Sequence, residues 1–242
     1  MSKIQWTDTT WNPVTGCTPC ATGCKYCYAK EMHRRLRAIG QPKYQHDFSE
    51  VCCHPEELEK PLRWRKPRKV FVCSMSDLFH EDVPSVFRTS VFATMNVARQ
   101  HTYQVLTKRP ANARGWFASL LPAGPSTTWP LSNVWVGASA STQPDLERVV
   151  PDLLATPAAV RFLSLEPLLG PMVLRIQALC AHWIIIGAES GPHRRECREE
   201  WVRDIVAQCK VAGIPCFVKQ IHRGGKVVKM PADYPQEWPA CA

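Results

Sequence analysis

The chain has 242 residues, 45% of them apolar, and carries a formal net charge of +9. That length suffices for a full hydrophobic core, and no run approaches the ~18 apolar residues of a membrane span. The cation surplus points to an anionic partner, nucleic acid or a phosphorylated substrate, or else only to solubility.

Met1 to Asn12 is polar and aromatic, without the apolar run and cleavage site of a secretory signal. The 12 cysteines are therefore expected to be reduced thiols of a cytoplasmic protein. Lys3 to Val14 (KIQWTDTTWNPV) reads as an extended lead-in to GCTPCATGCKYCYAK, Gly16 to Lys30. Tyr28 to Ile39 is expected to be a helix, with Met32 and Leu36 four apart and Gly40 to stop it. Gln41 to Lys69 reads as a basic, irregular insertion containing Cys52, Cys53 and the run PLRWRKPRK.

A rhythm of short apolar strands and helices follows. The expected strands are Lys69–Cys73, Tyr103–Leu106, Asn133–Val136, Val160–Leu163, Trp183–Ile186 and Pro215–Val218. The helices between them are Pro84–Arg99, Ala111–Leu121, Asp145–Ala155 and Glu199–Ala212, the last stopped by Gly213. Pro122–Asn133 reads as a surface loop. Near-continuous apolar strands alternating with helices imply a parallel sheet buried on both faces. The expected fold is α/β: a TIM-like (β/α) barrel, complete or partly open, in a single domain over residues 1–242. A doubly wound open sheet is the alternative. Nearly every strand ends in a polar cluster, on the edge where such folds carry their sites.

Cys17, Cys20, Cys24 and Cys27 fall within eleven residues. Disulfides do not suit a reducing compartment. Four thiolates can close a zinc tetrahedron, although three residues between the pairs is tight for one. Thiolates at such short spacings also hold iron–sulfur clusters.

Within that stretch Cys20-x3-Cys24-x-Tyr26-Cys27 resembles the signature of radical S-adenosylmethionine enzymes. The blocks TTWNPVTGC, GCKYCYAK, FVCSMSDLFHEDVP, VLTKRP, RFLSLEPLLGP, WIIIGAESGP and FVKQ are together similar to the phage-associated three-cysteine-motif proteins, a radical-SAM-like family of phages and prophages. The resemblance implies a [4Fe–4S] cluster with one open iron that binds S-adenosylmethionine. An electron donor would then drive formation of a 5′-deoxyadenosyl radical. The family pattern implies Cys17, Cys24 and Cys27 as ligands, the superfamily spacing Cys20, Cys24 and Cys27; both triads stay open. In the family Asn often stands at the position of Cys73, and a Gly/Ala-rich stretch replaces HRREC after Gly191.

The same resemblance assigns the strand ends. Ser74, Ser76 and Asp77 would bind the amino group of S-adenosylmethionine, unless they cap the following helix. Lys108 and Arg109 would take its carboxylate or a substrate phosphate, and Ser139 its ribose. His80 is an acid/base candidate, or a structural histidine. Glu166 and Glu189 need a partner or ligand where they end buried strands, and Lys219 and Gln220 complete the ring. In RWRKPRK, Arg63, Arg65, Lys66, Arg68 and Lys69 surround Trp64, suiting phosphate contact and base stacking or merely a solvated loop. The expectation is a radical enzyme acting on nucleic acid or a nucleotide, with His80, Glu166 and Glu189 catalytic and a possible partner protein. The rival is a zinc- or cluster-stabilised nucleic-acid-binding protein without catalysis, or an accessory subunit.

Overall fold

The computed structural model describes residues 4–120, 129–175 and 178–240; residues 121–128 of the expected loop Pro122–Asn133 lie outside them. The strands are β1 (Thr9–Trp11), β2 (Val14–Thr15), β3 (Cys52–Cys53), β4 (Lys69–Val72), β5 (Thr102–Thr107), β6 (Val134–Ser139), β7 (Val160–Leu165), β8 (Trp183–Gly187), β9 (Cys216–Arg223) and β10 (Lys226–Lys229). The helices are α1 (Tyr28–Ala38), α2 (Ser85–Val97), α3 (Pro110–Leu120), α4 (Gln143–Leu154) and α5 (Glu199–Ala212).

The main sheet has eight strands in the order β1-β4-β5-β6-β7-β8-β9-β10, and β2 pairs with β3 separately. Seven strands run parallel; β10 folds back antiparallel on β9. The result is a curled, partly open sheet interleaved with helices, resembling a β/α barrel. A closed TIM barrel of eight parallel strands is not formed, which corrects the complete-barrel expectation. The doubly wound alternative fails because strand order follows the chain with no reversal.

Alternation along each strand divides the core. On one face Phe71, Trp135, Phe162, Trp183, Ile185 and Phe217 gather with Trp6. On the other Val70, Val105, Val136, Leu163, Ile184 and Val218 join Phe92, Trp116, Leu146, Val149, Val202 and Ile205 of the helices. Gly137 in β6 makes the aromatic side possible, since a Cβ there would lie 2.4 Å from the Phe162 ring. Gly40 and Gly213 end α1 and α5 in left-handed conformations, at φ +73° and +66°, as helix-stopping glycines do. Cys73 just beyond β4 has φ +57°, a region where Asn is common among non-glycine residues.

Because the strands are parallel, their ends sort chemistry by edge. The basic run immediately precedes β4 and so lies at the N-terminal edge. The clusters at the ends of β4 to β8 lie at the C-terminal edge, under the cysteine loop; β9 runs past its expected end at Val218, so Lys219 and Gln220 lie inside it, Gln220 level with the end of β8.

Candidate functional site at the C-terminal edge

The cysteine loop is stitched to the strand ends one after another. Gly16 forms a parallel bridge with Ser76, and Ser76 Oγ donates to Gly16 O at 2.7 Å. Ser74 Oγ donates to Asn12 Oδ1 at 3.0 Å, and the Ser74 carbonyl accepts from the Tyr28 hydroxyl at 2.5 Å. At Gly23 the loop touches the far side of the mouth: a Cβ there would sit 2.4 Å from Ser141 Oγ and 3.1 Å from Pro167 Cδ.

Asp77 and Arg109 are the buried charges at the centre, 5% and 8% exposed. Asp77 caps no helix. Its carboxylate accepts from Thr107 Oγ1 (2.7 and 2.9 Å), Lys108 N (2.9 Å) and Phe79 N (3.0 Å), joining the β4 turn to the end of β5. Arg109 donates to Glu81 Oε2 at 2.9 Å, to Thr18 O and Oγ1 at 2.9 and 3.0 Å, and to Cys17 Sγ at 3.7 Å. Its nearest approach to Asp77 is 3.8 Å. His80, 2% exposed, accepts the Asp82 N–H at Nδ1 (3.2 Å). Its Nε2 therefore carries the proton and donates to Thr18 Oγ1 at 2.7 Å. Burial, then the Arg109 charge, pulls its pKa below the ordinary value, so it is neutral at pH 7 and anchors the loop.

The two glutamates are also spoken for. Glu189, 5% exposed, accepts from Arg195 N, Nε and Nη2 at 2.8, 2.9 and 2.6 Å. Burial would raise this carboxyl, but the Arg195 hydrogen bonds outweigh it and hold it below the usual range. Arg195 Nη1 reaches across to Thr22 O at 3.1 Å, tying the segment after β8 to the cysteine loop. Glu166 accepts from Ser164 Oγ at 3.1 Å and lies 2.8 Å from Lys219 Nζ, while Ser139 Oγ donates to the Glu166 carbonyl at 3.2 Å. Gln220 Nε2 donates to Ala188 O at 2.6 Å. The residues missed in the sequence are Asn12, Thr18, Tyr28, Thr107 and Arg195. Their only advance signal was placement inside TTWNPVTGC, GCTPCATGCKYCYAK, VLTKRP and the unusual HRREC.

The thiols face different partners. Cys17 Sγ lies against the Arg109 guanidinium, and burial with the Asp77 charge pushes its pKa up to about 11. Cys20 is exposed, with Sγ 4.0 Å from Lys108 O. Cys27 sits at the N-cap of α1. Cys17, Cys20, Cys24 and Cys27 form no disulfide. Among the described residues no group of three or more His, Cys, Asp or Glu is placed to hold a metal ion. This overturns the expected [4Fe–4S] cluster, with Cys17, Cys20, Cys24 and Cys27 as metal ligands. With it go S-adenosylmethionine bound at an open iron and the radical-enzyme assignment. The zinc reading loses its site on the same finding.

What the loop does contain is a polarised thiol pair. Cys20 is the neighbour whose thiol, against burial, holds Cys24 below the ordinary thiol range. Cys24 is thus the thiol of this loop most inclined to ionise, and the thiolate is the nucleophile. Iodoacetamide should label Cys24 with a pH midpoint below that of an ordinary thiol. Cys20→Ala should move the midpoint up toward the ordinary thiol range and slow labelling at pH 7 by about 10-fold or more. A pH profile unchanged by Cys20→Ala would show that Cys20 does not lower Cys24.

Among the described residues no helix is long and apolar enough to cross a membrane. Neither a curated protein nor a solved structure matches the chain. A family model described as protein of unknown function (DUF5131) matches residues 1–232, and the chain therefore belongs to the DUF5131 family.

Proposed function

We propose that this protein binds nucleic acid through the basic N-terminal edge of its sheet, as a binding protein and not a radical enzyme. The observation that carries this is a row of exposed cations, Arg65, Lys66 and Arg68, on a chain of net charge +9. None of the three has an ion pair among the described residues, whereas Arg63 is held by Glu59 at 2.6 Å. Lys69 lies over the Trp238 ring at 5.0 Å. Exposed Arg99 extends the row, because Gln100 beside it donates to Trp64 O at 3.3 Å. Unpaired surface cations release counterions when they meet phosphates, which drives sequence-independent binding. Trp64 is not the stacking residue of this edge: its ring is half-buried against the core, with His101 edge-on at 5.5 Å. The groups first assigned to catalysis each have a partner at the opposite edge, His80 with Thr18, Glu166 with Lys219 and Glu189 with Arg195, which also favours binding.

Binding to duplex DNA or RNA should weaken steeply with salt. Replacing Arg65, Lys66 and Arg68 together by Gln should flatten the log–log salt slope by about 2.7, roughly 0.9 per lost phosphate contact. Stability should change little, as exposed substitutions usually do. An unchanged slope and affinity would reject this edge as the contact surface.

A further inference from the structure

A second feature lies at the other end of the molecule, beside the cysteine loop. Tyr26, at the bend before α1, is 38% exposed. His193, in the segment after β8, is also exposed. Their rings are 32° from parallel with centroids 6.1 Å apart. Two cations flank the Tyr26 ring, Arg195 Cζ at 5.4 Å and Lys25 Nζ at 5.3 Å. They differ in freedom. Arg195 is fixed by Glu189 and Thr22, while Lys25 is exposed and has no ion pair among the described residues.

We infer that Tyr26 and His193 form a stacking site for an unpaired base of single-stranded nucleic acid, with Lys25 taking an adjacent phosphate; this rests on the nucleic-acid reading above. Exposed aromatic faces with cations around them suit a planar π system joined to an anion. Base–aromatic stacking tolerates any sequence, because every base has a π face. The base must be unpaired, since a duplex keeps those faces stacked on its neighbours. Arg195 keeps the site in place by anchoring the His193 segment to the cysteine loop, and Lys25 can leave the Tyr26 ring without breaking an ion pair. The two edges then divide the work: cations alone meet phosphates at one, and rings with cations meet single strands at the other.

The test uses short single-stranded oligonucleotides carrying 2-aminopurine, whose fluorescence falls on stacking, alongside a duplex of the same sequence. The wild type should quench the probe. Tyr26→Leu should abolish quenching and weaken single-strand binding by about 10-fold while leaving duplex affinity and thermal stability unchanged. Tyr26→Trp should restore both. No quenching by the wild type, quenching retained in Tyr26→Leu, or equal loss on single strand and duplex would each overturn the inference. Quenching retained would leave this rim for a protein partner instead. The Arg65/Lys66/Arg68 variant run in parallel separates the two claims. A flattened slope with no Tyr26 effect defeats only the stacking site; a Tyr26 effect with an unaltered slope defeats only the basic edge.

Discussion

Asp77→Ala is expected to destabilise the protein by about 3–5 kcal/mol, and at about 2–4 °C per kcal/mol to lower its melting temperature by about 10 °C. The carboxylate is buried and serves three donors from two strand ends. Alanine leaves the Phe79 and Lys108 N–H groups and the Thr107 hydroxyl without their acceptor, and removes the anion nearest to Arg109 on that side. Unmade buried hydrogen bonds are what make such losses large. Asp77→Asn keeps one acceptor oxygen but turns an NH2 toward donors, so it should lie between alanine and wild type. Because Arg109 also holds Thr18, the cysteine loop should loosen, and iodoacetamide labelling of buried-side Cys17 should rise along with the melting shift. A normal melting temperature in Asp77→Ala would show that Asp77 does not organise this edge.

The parallel rhythm was legible because it rests on local patterning. WIII, NVWV and VRFL read as strands buried on both faces, and parallel strands put their polar ends on one edge. Other pieces carry a weak signal or none. Gly224 and Gly225, at φ +55° and +72°, are the two-residue turn that folds β10 onto β9 and ends the sheet without an eighth parallel strand. β3 is only two residues, Cys52 and Cys53, too short for any periodicity to announce it.

The site was legible as a place more than as a chemistry. Four thiols in eleven residues say how far apart the sulfurs are along the chain, not where each one points. That depends on groups remote in sequence: Arg109 turns one face of the loop toward a guanidinium, and Lys108 offers Cys20 a carbonyl. The strand-end glutamates were expected to need partners, and they have them. Glu189 pairs with Arg195, a residue that stood out beforehand only as part of an unusual segment. Single-residue polarity cannot distinguish a carboxylate awaiting a ligand from one already satisfied by an arginine six residues on; the difference lies in the fold of the intervening turn.

Gly16→Ala is the substitution expected to act most directly on the loop itself. Gly16 has φ +84°, where an L side chain costs about 1–2 kcal/mol. Its Cβ would lie 1.9 Å from the Glu50 carbonyl oxygen and 3.1 Å from that of Phe48. Those are backbone atoms, so a side-chain rotation cannot relieve the contact. The segment is also pinned by Cys17 N donating to Phe48 O at 2.7 Å and by β3 pairing with β2. Displacement at overpacked sites typically costs another ~1–3 kcal/mol, giving a total of about 2–5 kcal/mol. Gly40 supplies the control: it has φ +73° but nothing within 4 Å of an added Cβ, so Gly40→Ala should cost only the conformational part. Chemical denaturation of both variants isolates the close approach as the difference between them. In Gly16→Ala the Ser76 hydrogen bond to Gly16 O should also be lost, and Cys24 labelling should change its pH midpoint as the loop shifts. Equal destabilisation of the two variants would mean that Glu50 gives way freely, and that the loop is not held where Gly16 places it.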